Sequence, residues 1–340
     1  MFAAASQPPV YASPGQPERA LSSQPVALIV NVNARRGAQA LSEATTLLRS
    51  RGVAVRPLAT ADQAQADAAL RSEVQRGAAY VVVGGGDGTL SHAAGLLVGS
   101  RTALGVLPLG TGNTFARSVG VPLSLWDAAR IIAGGRQARV DVGRVVMGGA
   151  GSPTTEQVFL NSVGLGYSAE IARQLGGETK RRLGLLAWPV VGSQVMFGHR
   201  PLDLDLSLDL EFSRDLNLSA GEPGQQALRR VRSHQLLIAN GRYVAGPLKV
   251  APDAAVDDHR LDILSFGTTS LASASAAALR WALGRGGAAL AARQLRIRSR
   301  RGPVWVSVDG EVSRCAELEL SVQPSALSVL VPDGFEGSEV

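Results

Sequence analysis

The sequence predicts an α/β fold joined to a β-rich one. A parallel α/β domain runs from about 25 to 138, and an antiparallel β-sandwich domain with helical insertions from 139 to 332. Three observations carry this. Apolar, β-branched runs alternate with segments of helical period as far as Ala133, the pattern of a parallel sheet covered by helices. Two glycine-rich segments, Gly84 to Thr89 and Gly110 to Asn113, each follow such a run and precede a helix. Beyond residue 200, strict alternation sets in at Leu202-Asp203-Leu204-Asp205-Leu206-Ser207-Leu208, which means strands with one wet face.

Residues 1–24 are rich in Pro, Ser, Gln and Ala and read as a disordered tail. Order begins at the apolar strand Val26 to Val30, which leads into Asn31-Val32-Asn33-Ala34-Arg35-Arg36-Gly37. Leu41, Ala44, Leu47 and Leu48 then have helical spacing. Val53 to Val55 starts a second strand that leads to Thr60, and a helix over 62–76 is closed by Gly77. The buried strand Val81-Val82-Val83 runs into the first glycine segment, after which Thr89 to Ala94 open a helix. Ala103 to Leu107 is the next strand. Ser124, with Asp127 three residues on, makes a capping box for a helix through about Ala133. A helical segment is expected over 168–197, with Lys180, Arg181 and Arg182 near its middle, and another over 270–283. Strands are expected at 233–240, 261–266, 294–299, 303–308, 316–322 and 326–331, and residues 333–340 read as a frayed tail.

A chain of 340 residues with 45% apolar content accommodates two domains, each with a core. No run approaches the about 18 apolar residues that span a bilayer. The first residues lack the basic and apolar regions of a secretory signal. A single cysteine, Cys315, forms no internal disulfide and reads as a packed residue, which is compatible with a reducing cytoplasm. The net charge of +6 either favours anionic partners or reflects a genome rich in arginine and alanine codons. Aromatic content of 4% leaves no stacking platforms of the kind single-strand nucleic-acid binders use. His92, His199 and His234 have no partner at ligand spacing and read as structural or surface residues.

Chemistry is concentrated in the glycine segments. Glycine at a strand-to-helix turn lets the backbone approach a ligand closely. The helix N-terminus behind it presents free N–H groups and a positive dipole end, which suits a phosphate. Two such loops at the ends of neighbouring parallel strands face one crevice, the place where α/β sheets bind ligands.

Gly84-Gly85-Gly86-Asp87-Gly88-Thr89 and Pro108-Leu109-Gly110-Thr111-Gly112-Asn113-Thr114-Phe115-Ala116-Arg117 resemble the diacylglycerol kinase catalytic domain of bacterial lipid kinases, a family that includes sphingosine and ceramide kinases. Four further segments in order extend the resemblance over roughly 25 to 332. They are Asn31 to Gly37, Phe159 to Gly166, Ala245 to Asp262, and Val308-Asp309-Gly310-Glu311. The resemblance implies a nucleotide domain like that of NAD kinases and phosphofructokinases. It implies ATP bound across the interdomain cleft by Asn31, Thr60, Gly85, Gly86, Asp87, Gly88, Thr89, Leu90 and Ser91, with Gly110, Thr111, Gly112 and Asn113 opposite. It implies Glu311 as the base for the acceptor hydroxyl, with Asp309 beside it. It also implies a structural Mg²⁺ at Asp258 and the main-chain oxygens of Ala255 and Arg260.

The residue types suit that chemistry, because phosphoryl transfer needs positioned phosphates and a carboxylate aimed at the attacking oxygen. The sequence departs from the family pattern at Val32, Ser91, Thr114 and His259. His259 stands where the family usually has a glycine able to take positive φ, and this bears on the metal loop. Arg293, Arg296, Arg298, Arg300 and Arg301 make either a cationic face near phospholipid or a solvated strand face.

The expectation is therefore an ATP-dependent lipid kinase, acting on diacylglycerol or a related lipid at the membrane surface. It would be cytoplasmic, with peripheral membrane contact, no transmembrane segment and no nucleic-acid partner, and a homodimer remains open to it. Two alternatives stand beside it: a kinase of a soluble acceptor such as NAD, and a nucleotide-binding regulator without catalysis.

Overall fold

The computed structural model describes residues 24–34, 36–149, 152–174, 200–212, 226–244, 246–249, 251, 254–266 and 290–335. Four strands, β1 (Val26–Asn31), β2 (Val55–Thr60), β3 (Tyr80–Gly85) and β4 (Ala103–Pro108), pair in parallel in the order β2-β1-β3-β4. Crossover helices separate them: α1 (Gly37–Arg49), α2 (Gln63–Gln75) and α3 (Asp87–Leu97), with the short α4 (Thr114–Ser118) and α5 (Leu125–Gly134) after β4. Local chemistry sets their ends. The Asp62 carboxylate accepts from Gln65 N at 2.9 Å to start α2. Beyond its other end, Gly77 takes φ +68°. The Ser124 hydroxyl accepts from Asp127 N at 3.1 Å, so the expected cap of α5 forms.

Among the described residues, the strands of the second half pair antiparallel with one another, and one helix lies among them. Its elements are β5 (Arg136–Gly149), β6 (Ser152–Phe159), β7 (Ser162–Gly166), α6 (Tyr167–Gln174), β8 (Leu202–Phe212), β9 (Gln226–Ser233), β10 (Gln235–Ala239), β11 (Leu261–Phe266), β12 (Leu290–Ser299), β13 (Val304–Val308), β14 (Glu311–Cys315) and β15 (Glu317–Val331). The hydrogen-bonded path is β14-β13-β7-β10-β11-β12-β15-β4-β3-β1-β2, so the two halves share one continuous ladder. The α/β domain followed by an antiparallel β domain is the plan the sequence predicts.

The join is made by β15. Its first half pairs antiparallel with β12, from Leu318 against Ile297 to Ser321 against Gln294. Its second half meets β4 in parallel at Val329 and Leu104. Leu327, Val329, Leu330 and Val331 are buried in the same core as Leu28, Val82 and Leu107. A second core gathers Leu204, Leu206, Leu236, Ile297, Val306 and Leu320.

Several expectations need correction. The candidates 316–322 and 326–331 are one strand, interrupted by a register shift between Gln323 and Leu327 where Ser325 has φ +49°. The helix after the first glycine loop starts at Asp87 and not at Thr89. Strands β5, β6, β7, β9 and β14 were not expected, because none carries a clean run of period two bounded by turn residues. Phe335, placed in a frayed tail, packs against the first core and lies under the Arg136 guanidinium at 5.8 Å. The expected tail at 1–23, most of the helix over 168–197, and the helix over 270–283 lie outside the described residues.

The arginines of β12 and its following turn do not form a bare cationic face. Arg296 pairs with Glu319, Arg298 with Glu317, Arg300 with Asp205 and Arg301 with Asp203. Cross-strand neighbours thus offset their charge, as on a solvated sheet face. Cys315 is buried, which pushes its thiol up to about 11 and makes it a packed residue.

Candidate active site

The two glycine loops leave the same edge of the sheet, because β3 and β4 run in parallel with Gly85 opposite Pro108. They touch back to back. A Cβ on Gly110 would lie 2.5 Å from Gly86 Cα and 2.9 Å from Asn113 Oδ1, so no larger residue fits there. Asn113 adopts φ +49°, and its amide closes the second loop on itself, accepting from Gly110 N at 2.8 Å and donating to Gly110 O at 2.8 Å. Asp87 clamps the loops together. Its carboxylate accepts from Phe115 N at 3.0 Å and from the Thr114 hydroxyl at 3.2 Å.

Several expected nucleotide contacts are thus committed to building the site. Asp87 and Asn113 hold backbone, Leu90 is fully buried in the core, and the Ser91 hydroxyl donates to Asp309 at 2.5 Å. What faces open space is backbone. Nothing lies within 4 Å of where a Gly88 Cβ would stand, beside the first N–H groups of α3, which have no intrahelical acceptor. Asn31 and Thr60 sit side by side at the ends of β1 and β2. Asn31 Oδ1 accepts from Asn33 N at 2.9 Å, which shapes the first loop. The buried Thr60 hydroxyl has no partner among the described residues. Thr111 is exposed on the rim of the second loop.

The acidic residues reach this edge from the far end of the chain. The hairpin of β13 and β14 turns through Asp309 at φ +47° and Gly310 at φ +93°, a two-residue turn with both residues left-handed. Asp309's carboxylate is enclosed. It accepts from Ser91 Oγ, from Leu160 N at 2.7 Å, from Asn161 N at 3.0 Å and from Ser162 N at 2.9 Å. Burial pushes its pKa up, and the four donated hydrogen bonds pull the other way. Two residues on, the side chain of Glu311 is 57% exposed. Its Oε1 lies 3.2 Å from His92 Nε2 on α3. Both open onto a cleft of about 470 Å³, lined also by Gly88, Ser91, Asp67, Arg71 and Glu156.

A further bond ties the halves together at this edge, the Thr114 hydroxyl accepting from Gly246 N at 2.9 Å. Within the second half, Asn240 Nδ2 donates to Asp141 O at 3.0 Å and Leu160 O at 3.2 Å.

Comparison with known proteins follows this division. Residues 25–145 match the diacylglycerol kinase catalytic domain, and residues 161–331 match the YegS C-terminal NAD kinase beta sandwich-like domain. The chain belongs to the diacylglycerol kinase catalytic-domain family of lipid kinases. A Pseudomonas putida protein named "Probable lipid kinase YegS-like" is 28% identical over 309 residues, 88% of this chain and 94% of its own. An Enterobacter protein of the same name is 27% identical over 255 residues, 74% and 77% of the two chains. Among solved structures, a diacylglycerol kinase from Bacillus anthracis has the same fold, with a TM-score of 0.70 at 22% identity over 91% of this chain and 97% of that one.

At the expected metal loop of the kinase, Asp258 Oδ2 is met by Arg260 Nε at 3.1 Å and Ala255 N at 3.2 Å, and Oδ1 by Arg260 N at 3.3 Å. A guanidinium therefore stands beside the carboxylate. Burial raises the Asp258 pKa, against the hydrogen bonds from Ala255 and Arg260. His259 does take the left-handed conformation, at φ +60°. Its N–H donates to Asp141 at 2.6 Å, and burial pushes that carboxyl up to about 6. We expect Arg260→Met to lower the melting temperature of the kinase by removing the partner of a buried carboxylate, at a cost of about 1–3 kcal/mol. Differential scanning fluorimetry reads the shift.

Sequence reasoning missed Asp141, His92 and the tie through Thr114. Asp141 sits in a strand with no motif, and nothing marks it until three segments converge. The Asp309-Gly310 pair was a legible hairpin signal. His92 follows the glycine loop directly, yet its partner lies on another strand far along the chain.

Proposed function

We propose that this kinase transfers the γ-phosphoryl group of ATP to a hydroxyl of diacylglycerol or a related lipid, with Glu311 accepting the hydroxyl proton. The observation that carries the reading is the shared cleft. An exposed carboxylate, that of Glu311, opens onto the same space as Gly88 and the start of α3. Phosphates at the α3 N-terminus would meet backbone N–H groups and the positive dipole end. Asn31, Thr60 and Thr111 are placed to meet the rest of the nucleotide, and the buried Thr60 hydroxyl needs a partner that a ligand would supply. Mg²⁺ enters with ATP as part of that substrate.

The chain's own residues then divide the work. The glycine loops orient the donor, Asp309 fixes the hairpin against Ser91 and the 160–162 backbone, and Glu311 takes the proton as the new O–P bond forms. No helix of the described residues is long and apolar enough to cross a membrane, so the lipid would be met at the bilayer surface. The test is transfer from radiolabelled ATP to mixed lipids and to NAD side by side. Labelled lipid is the expected product. Label on NAD alone would make the acceptor soluble, and bound ATP with no transfer to either would make the protein a sensor.

A further inference from the structure

We infer that His92 is a positioning residue for Glu311, and that its imidazole aims that carboxylate over the cleft. The inference rests on the proposed role of Glu311.

An exposed glutamate on a hairpin has three rotatable side-chain bonds and no inherent aim. The side chain of Glu311 is more than half exposed, and among the described residues its single partner is His92 Nε2 at 3.2 Å. His92 is itself well anchored. It lies in α3 between Ser91, which is bonded to Asp309, and the buried Ala93 and Ala94. The contact therefore fastens the acidic hairpin of the second half to the helix that begins at the donor loop. It holds the carboxylate over the cleft in which donor and acceptor would meet.

The ring nitrogen and the carboxylate oxygen stand at hydrogen-bond distance, so the imidazole limits the directions the glutamate can take. The other charged groups in the cleft are Asp67 and Arg71 from α2, Glu156 from β6, and Asp309 and Glu311 from the hairpin. Glu156 is paired with Arg144 at 2.7 Å, and Asp309 is spent on four donors. The transfer itself balances simply. The acceptor oxygen bonds to the γ-phosphorus, the bond from that phosphorus to the β,γ-bridging oxygen breaks, and the hydroxyl proton passes to Glu311.

The test is kcat and KM for His92→Gln, His92→Ala and Glu311→Gln beside the wild type, in detergent micelles. His92→Gln keeps a hydrogen-bond donor for the carboxylate, so it should retain most of the activity. His92→Ala frees the carboxylate and should lower kcat about tenfold or more, with KM for ATP unchanged. If Glu311→Gln is inactive while both His92 variants copy the wild-type rate, His92 has no such role. If Glu311→Gln remains active, the assignment of the base fails and this inference with it.

Discussion

Glu311→Gln should abolish phosphoryl transfer and leave ATP binding intact. Glutamine matches glutamate in shape and keeps an oxygen for His92, but it cannot take the proton of an attacking hydroxyl. General-base catalysis accounts for about 10²–10⁴-fold in rate, so kcat should fall by that factor. Binding should persist, because every candidate contact to the nucleotide lies on β1, β2, the end of β3, the start of α3 or the loop before α4, and none on β14. Isothermal titration with ATP beside a micelle assay separates the two. A variant with near-normal kcat would mean that the proton leaves by another route.

The second large effect belongs to Asp309. Its carboxylate gathers Ser91 Oγ and three successive backbone N–H groups, from Leu160, Asn161 and Ser162. Asp309→Ala strands all four donors, three of them on backbone that cannot turn away. Each hydrogen bond to a charged group contributes about 1.5–3 kcal/mol and unsatisfied buried donors cost a similar amount, so the loss should reach about 3 kcal/mol or more. Ser91→Ala removes one of the four and should cost roughly 1 kcal/mol. Urea unfolding of the two variants gives the ratio. Equal effects would show that the backbone donors find water instead.

The sequence made part of this legible. The α/β half could be read because its signals are local: β-branched runs, glycine turns, and a serine cap three residues before its aspartate. The second half was read less completely. Strands such as β5 and β9 carry arginine, glycine or glutamine where alternation would need apolar residues, and their pairing partners decide the burial. Within the site, the glycine loops announced themselves, but the work of their side chains did not. Asp87 and Asn113 look like ligand contacts in sequence, and only the fold shows that they also fasten the loops. His92 and Glu311 meet only after the ladder closes, so no window along the chain contains both. Arg260 likewise shows its purpose only once its side chain is seen turned back onto Asp258.

Strand β15 has a consequence for how the protein is made. Leu327, Val329, Leu330 and Val331 complete the core that begins at Val26, so the first domain to leave the ribosome is also the one that must wait. Until these residues emerge, β4 is an open edge with an apolar flank, a template for mispairing. Contacts between strands this far apart in sequence also close slowly. The α/β half therefore stays unfinished until β15 has been made, and for that time its open edge must be kept apart from other chains.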